Sequence, residues 1–264
     1  TTSSPVDANF PLGNVQRRGL AQPMRVTSGN GFTITAHFDP ADNLDLGLIG
    51  MLGVNRRNGE RFFGTATIQR STNGVAWSTV ATLSISDNAR SSLPANVLHG
   101  PPSPWSTAGY PWLRVQWATG GTELGSIARL WAGPALILPD GVDAGWSMGF
   151  RDSGSLDATE GQQWVESRGV RTRVISIPLE SARSTDLAWG FSDSDNTFAA
   201  QDRMSLQSLQ LEAGCTGEVI ALPRTSSPMW MHRAGVYGHI EQPWQIGHKA
   251  GPFWGGALTV IEER

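Results

Sequence analysis

Several residue types are scarce in this 264-residue sequence, and each scarcity excludes a class of protein. Cysteine occurs once, at Cys215, which rules out the intrachain disulfides of small secreted domains. Lysine also occurs once, at Lys249, and the formal net charge is -3, so a broad nucleic-acid-binding face is excluded. No stretch approaches the roughly 20 apolar residues of a membrane span. We therefore expect a soluble chain without membrane insertion or nucleic-acid recognition.

Glycine, proline and tryptophan are abundant instead. The chain has 31 Gly, 16 Pro and 11 Trp, which is typical of short strands separated by turns, with large aromatic side chains in cores or interfaces. The length suits two domains of roughly 100 to 130 residues each. Composition therefore predicts a mainly β protein with two β-sandwich domains.

Alternation of polar and apolar residues locates most of the predicted strands. One such strand, beginning at Pro111, places Trp112, Arg114 and Gln116 on one face and the intervening apolar residues on the other. A proline-rich stretch from Pro94 to Tyr110 is predicted as a loop. The predicted strands cover residues 31–37, 44–54, 64–70, 76–85, 111–118, 125–132, 146–150, 163–165, 171–179, 218–222, 234–241 and 256–262.

A single helix is predicted, over residues 197–213. Its apolar stripe includes Met204, Leu206 and Leu209, and Gly214 supplies the residue that ends it. One helix among a dozen strands excludes the α/β fold classes. The turn cluster Pro139-Asp140-Gly141 marks the predicted domain boundary.

Two motifs suggest enzyme chemistry. Residues 145–149 read Gly-Trp-Ser-Met-Gly, the pattern of a hydrolase nucleophile elbow, with Asp186 and His232 among the acids and histidines that follow. An elbow needs a buried strand before Ser147 and a helix after it, and the flanking sequence lacks that periodicity. Residues 193–197, Asp-Ser-Asp-Asn-Thr, resemble a phosphoryl-transfer motif but are better explained as a helix N-cap region. We expect no catalytic residue, and a Ser147-dependent hydrolase stays the less favoured alternative.

The five histidines, His37, His99, His232, His239 and His248, show no metal-ligand spacing, so neither a metal nor a cofactor is expected. A cluster of aromatic residues is the better candidate site. Trp105, Tyr110 and Trp112 flank the proline-rich loop, with Arg114 close by. Flat aromatic rings beside an arginine suit sugar rings, which predicts a carbohydrate-binding site at these four residues. Core or interface packing of Trp112 and Trp117 is the other interpretation of these aromatics, and it is favoured over a sugar site.

Two segments within residues 48–131 carry a family resemblance: Arg70-Ser-Thr-Asn-Gly-Val-Ala-Trp and Tyr110-Pro-Trp-Leu-Arg-Val-Gln-Trp. The first resembles the hairpin, and the second a later strand, of discoidin-type, galactose-binding-like jelly rolls. The resemblance implies a jelly-roll domain over residues 23–133. The chain lacks the disulfide that commonly ties the termini of secreted members.

A second set of motifs lies in the later part of the chain: Ala128-Arg-Leu-Trp-Ala-Gly-Pro, Gly145-Trp-Ser, residues 168–179, Glu212-Ala-Gly, Gly217-Glu-Val-Ile-Ala-Leu-Pro and Leu258-Thr-Val-Ile-Glu-Glu. In this order the motifs are similar to those of distal and minor tail proteins of siphophages and gene transfer agents. This similarity implies a tail-tube-like β-sandwich with one packed helix over residues 134–264, which residues 1–22 join.

That similarity implies a non-enzymatic ring in a bacteriophage tail tip. The implied partners are further copies of the chain in a hexamer or trimer, the tail tube protein, the tail hub with other tail-tip proteins, and a host surface glycan. The implied location is the virion, after assembly in the host cytoplasm. A free carbohydrate-binding module or lectin is the main alternative.

Overall fold

The computed structural model describes a chain that divides into two compact units, with the main break between Ile137 and Leu138. The described residues are 8, 12–16, 23–25, 31–56, 64–85, 95–100, 105–118, 124–136, 145–158, 164–167, 169, 171–183, 206–214, 216–223, 234–241, 245–250 and 253–263. Both units are built almost entirely from antiparallel strands, which confirms the predicted mainly β fold.

The first unit contains two short 3-10 helices, Leu12–Gln16 and Pro40–Asp42, and two main sheets. The strands are β1 (Met24–Arg25), β2 (Gly31–His37), β3 (Asp45–Leu46), β4 (Leu48–Arg56), β5 (Gly64–Ser71), β6 (Ser78–Ile85), β7 (Ala95–His99), β8 (Trp105–Ser106), β9 (Trp112–Ala118), β10 (Leu124–Ile127) and β11 (Arg129–Gly133). Strands β2, β9, β5 and β6 form a four-stranded sheet in that order, and β1, β10, β4, β11 and β7 form the other sheet. A short ribbon pairs β3 with β8.

One hydrophobic core joins the two sheets of the first unit. The four-stranded sheet contributes buried side chains such as Phe32 and Trp117, and the other sheet contributes residues such as Ile49 and Met51. Two sheets that bury their inner faces against one another form a β-sandwich. The architecture of this unit is therefore a sandwich, as the sequence predicts.

Two sequence predictions for this unit need correction. The stretch from Pro94 to Tyr110 contains β7 and β8 rather than loop alone, because Val97 and Leu98 are buried and β7 pairs with β4. The strand predicted over residues 125–132 is two strands, β10 and β11. They separate at Ala128, whose amide N–H donates a hydrogen bond to the Leu52 carbonyl. Ala128 lies against Gly53, which has a left-handed backbone conformation.

The second unit is dominated by one antiparallel sheet. The strands of this unit are β12 (Ser147–Asp152), β13 (Ser155–Ala158), β14 (Trp164–Ser167), β15 (Arg171–Arg183), β16 (Glu218–Ala221), β17 (Val236–Ile240), β18 (Ile246–Ala250) and β19 (Phe253–Glu262). The sheet has the order β12, β15, β19, β17 and β16, with β18 also paired to β19. Its longest strands, β15 and β19, pair along most of their length. Strands β13 and β14 form a separate ribbon.

The helix of the second unit, α1 (Leu206–Ala213), has eight residues. Gly214 ends it in the left-handed conformation, at φ 51°, and donates its N–H to the Gln210 carbonyl. Residues 197–205 of the predicted helix lie outside the described residues. At 1.5 Å per residue, α1 is about 12 Å long, too short to cover a six-stranded sheet. A helix packed across the sheet is thus not seen in the described part of the chain. Nor do the described residues include a helix long and apolar enough to span a membrane.

Candidate functional site

The outer face of the four-stranded sheet in the first unit carries the candidate site. On β9, Leu113, Val115 and Trp117 are buried in the core, while Trp112, Arg114 and Gln116 are half-buried or exposed. Successive side chains of a strand point to opposite faces of its sheet. The division of β9 into a core face and an outer face is the one that its sequence predicts.

Arg114 is held in place by two neighbours on this outer face. Its guanidinium carbon lies 4.2 Å from the centroid of the Trp77 ring, and its Nε donates a 2.8 Å hydrogen bond to Gln69 Oε1. Gln69 is the cross-strand partner of Arg114, and its amide in turn contacts the Thr79 hydroxyl at 3.4 Å. This hydrogen bond uses only Nε of the guanidinium, and no described residue accepts a hydrogen bond from either Nη group.

The Arg114 side chain is partly shielded from solvent. Partial burial lowers the pKa of the Arg114 guanidinium below its usual value, because desolvation disfavours the charged form. Arginine nonetheless stays protonated in proteins. The site therefore offers a fixed positive charge over an indole ring, with Nη donors that no described residue uses.

Trp112 lies beside Arg114 on the same strand and face. Its ring centroid is 4.2 Å from that of His37, its partner on β2, with the two planes tilted by 40°. Gly74 packs on the indole from the turn between β5 and β6, and a Cβ added there would lie 3.1 Å from Trp112 Cε2. Gly74 has φ 73°, so both its conformation and the ring leave no room for a larger residue.

The turn that carries Gly74 is fixed by its own side chains. Ser71 Oγ accepts hydrogen bonds from the amides of Asn73 and Gly74, and Asn73 Oδ1 accepts from the amides of Val75 and Ala76. Such side-chain-to-backbone bonds are the reason that Ser and Asn favour turns. The rigid turn delivers Trp77, one residue further along, to the outer face.

We call His37, Gln69, Trp77, Trp112 and Arg114 the outer-face cluster. The structure places two of the four predicted sugar-site residues, Trp112 and Arg114, in it. The other two lie elsewhere: Trp105 is 4% exposed and belongs to the core, and Tyr110 is packed against that core. Arg70 covers both of these rings, at 4.0 Å from the Tyr110 centroid and 5.6 Å from that of Trp105. Arg70 pairs with Leu113 and so lies on the opposite face from Arg114.

Sequence reasoning did not select His37, Gln69 and Trp77 as site residues. Alternation on β2 and β5 could have assigned His37 and Gln69 to outer faces. The pairing of Gln69 with Arg114, 45 residues apart, depends on strand register, which the sequence does not state. For Trp77, the sequence indicates only a position in the hairpin motif and no role in binding.

Of the two enzyme-like motifs, the structure describes the one around Ser147 but not residues 193–197. Ser147 is the first residue of β12, and the chain after it continues as an exposed strand rather than a helix, so the geometry of a nucleophile elbow is missing at this serine. Residues 193–197 lie outside the described residues. Within the described ranges, no group of three or more His, Cys, Asp or Glu side chains could hold a metal ion.

Similarity to known proteins is found among solved structures. No family matches this sequence, and no curated protein matches it. The chain is similar to CBM32-1 from a family 31 glycoside hydrolase from Clostridium perfringens, with 10% sequence identity and a TM-score of 0.35. The alignment covers 50% of this chain and 92% of that one. The assignment of a β-sandwich to the first unit therefore rests on its own sheets and core.

Proposed function

We propose that the first unit is a carbohydrate-binding module that holds an oligosaccharide on the outer-face cluster. The observation that carries the proposal is Arg114, which is fixed between Trp77 and Gln69 with its Nη groups unused by described residues. Fixed N–H donors next to partly open indole surface match a sugar, whose hydroxyls accept hydrogen bonds and whose C–H faces are apolar.

The surroundings of the cluster fit the same ligand class. The described side chains on this face are hydroxyl, amide, aromatic and basic groups, and none of them is acidic. They are Thr33, Thr35, His37, Thr65, Thr67, Gln69, Ser71, Thr79, Thr82, Trp112, Arg114 and Gln116. Hydroxyl and amide groups can exchange hydrogen bonds with sugar hydroxyls in either direction. A face without carboxylates also accepts acidic sugars without repulsion.

Removal of the Trp77 or Arg114 side chain is expected to weaken sugar binding. A panel of neutral and uronic-acid oligosaccharides would be titrated calorimetrically into the whole chain, followed by Trp77→Ala and Arg114→Ala. Each substitution is expected to weaken binding of the best ligand at least about tenfold, because stacking area or charged donors are lost.

Val75→Ala is the matched control for this experiment. Val75 lies in the same turn, is 81% exposed and is an apolar residue outside the cluster, so its variant should bind as the parent does. If no oligosaccharide binds, the proposed function is wrong. If a sugar binds but neither Trp77→Ala nor Arg114→Ala changes its affinity, the site lies elsewhere.

A second proposal rests on the sequence similarity of residues 128–264 to tail proteins. We propose that the whole chain is a non-enzymatic ring subunit of a siphophage tail tip, joining the tail tube protein to the tail hub in the virion. The two long paired strands β15 and β19 supply the rigid sheet that a ring wall needs. Electron microscopy of the purified chain at high concentration is expected to show closed rings. A chain that remains monomeric under all conditions, including with tail tube protein added, would contradict this role.

A further inference from the structure

Arg114 carries the permanent charge of the outer face of the four-stranded sheet. Among the described residues of strands β2, β5, β6 and β9, no other Arg or Lys lies on this face, and no Asp or Glu lies on it either. Its direct neighbours across the sheet are Thr35 and Gln69, which are both uncharged. A ligand that settles on this face therefore meets a positive charge that these four strands do not neutralise.

Gln69 determines which edge of the guanidinium a ligand can use. A guanidinium offers a planar fork of five N–H donors, and it can bind a carboxylate through Nε and one Nη at its side or through both Nη groups at its end. Nε of Arg114 already donates to Gln69 Oε1 at 2.8 Å. The end of the fork, with its two Nη groups, is therefore the edge left for a ligand with two acceptor oxygens.

The fork is also held in position before a ligand arrives. The Trp77 ring lies 4.2 Å from the guanidinium carbon, and the Gln69 amide that accepts from Nε itself contacts the Thr79 hydroxyl at 3.4 Å. A side chain that is already restrained loses less conformational freedom on binding. These contacts therefore favour a ligand group that requires a fixed pair of donors.

From this geometry we infer that the bound oligosaccharide contains a uronic acid, whose carboxylate accepts hydrogen bonds from both Nη groups of Arg114. The inference rests on the proposed carbohydrate-binding function and names its substrate class. A planar carboxylate matches the guanidinium fork, and charge-assisted hydrogen bonds are roughly twice as strong as neutral ones. A neutral sugar over Arg114 would displace water from the charge without neutralising it, which costs free energy.

Pairs of ligands that differ only in charge test the inference on the unaltered chain. Trimers of galacturonate, glucuronate and mannuronate would each be titrated calorimetrically beside the corresponding methyl ester. Esterification removes the charge and keeps the sugar skeleton. For a skeleton that binds, the acid should bind at least about tenfold more tightly than the ester. Added salt should weaken binding of the acid and leave binding of the ester nearly unchanged.

Substitutions of Arg114 then locate the preference for the acid. Arg114→Gln should remove it, so that acid and ester bind with equal affinity. Arg114→Lys keeps the charge without the fork and should retain only part of the preference. Arg25→Gln is the matched control, because Arg25 is an exposed arginine on β1 of the other main sheet. This variant loses the same charge and should keep the full preference.

The outcomes separate this inference from the proposed function. An ester that binds as tightly as its acid, or a preference for the acid that survives in Arg114→Gln, would overturn the inference while carbohydrate binding stands. Binding of neutral oligosaccharides alone would do the same. Failure of every acidic and neutral oligosaccharide to bind would overturn both. Circular dichroism would verify the fold of each variant, and the comparison of acid with ester needs no variant.

Discussion

Replacing Glu262 with alanine is expected to destabilise the second unit by about 3–5 kcal/mol, because it removes the buried carboxylate that is hydrogen-bonded to the guanidinium of Arg173. Arg173 and Glu262 face each other on β15 and β19, and both side chains are only 8% exposed. The guanidinium donates from Nε at 2.8 Å and from Nη2 at 2.5 Å to Oε1 of the carboxylate. Denaturant unfolding followed by circular dichroism would measure the change.

The second carboxylate oxygen adds to the expected loss. Glu262 Oε2 accepts the backbone N–H of Arg173 at 2.9 Å, so alanine at position 262 also leaves a buried amide without its acceptor. Glu262→Gln removes the charge and replaces one acceptor oxygen by an NH2 donor, but it keeps the other acceptor oxygen, so it should cost less than the alanine variant, which keeps none. Equal costs for the two variants would show that the remaining acceptor oxygen contributes nothing.

The exposed pair Arg151 and Glu241 provides the control. Its two side chains are 51% and 40% exposed, although its 2.6 Å contact is as short as those of the buried pair. Solvent screens exposed pairs, so Glu241→Gln should cost no more than about 1 kcal/mol. A similar loss of stability for the Glu241 and Glu262 variants would contradict burial as the cause.

Trp117→Ala is expected to cost the first unit about 3–5 kcal/mol, the usual cost of emptying a large aromatic site. Trp117 is 1% exposed and is the largest of the fully buried side chains in the described part of the chain. It stands in a row across the four-stranded sheet, opposite Phe32 on β2 and Ala66 on β5. The Ala66 side chain is too small to fill the cavity that loss of the indole would leave.

Gln116→Ala is the paired control for the core substitution. Gln116 precedes Trp117 on β9 but lies on the exposed outer face, so its loss should change stability by less than about 0.5 kcal/mol. Thermal unfolding would compare the two variants. Trp117→Phe should cost less than Trp117→Ala, because it keeps most of the buried apolar area. A stable Trp117→Ala variant would mean that this row does not support the core.

Much of the strand content could be predicted from the sequence, because burial on one face imposes a period of two. The alternation in residues 111–118 is a clear case, since one set of side chains must enter the core and the other must not. The stretch 94–110 shows why such reasoning fails elsewhere. Its prolines indicate a loop, yet β7 and β8 form there because they can complete pairings with β4 and β3.

The candidate site was only half predictable for a related reason. Trp105 and Trp112 are both tryptophans near the same loop, and nothing local distinguishes the buried one from the half-exposed one. Their roles depend on pairing: Trp105 faces Leu46 in the core, whereas Trp112 lies with His37 on the outer face. Trp77 joins Arg114 only because a rigid turn carries it there.

The sequence by itself determined the mainly β class, the faces of β9 and the glycine that ends α1, because strand alternation and backbone conformation are local properties. The tertiary structure decided which residues meet. Strand register brought Gln69 to Arg114 and Arg173 to Glu262. Register is set by the packing of whole sheets against a core, so contacts between distant residues cannot be predicted from either segment alone.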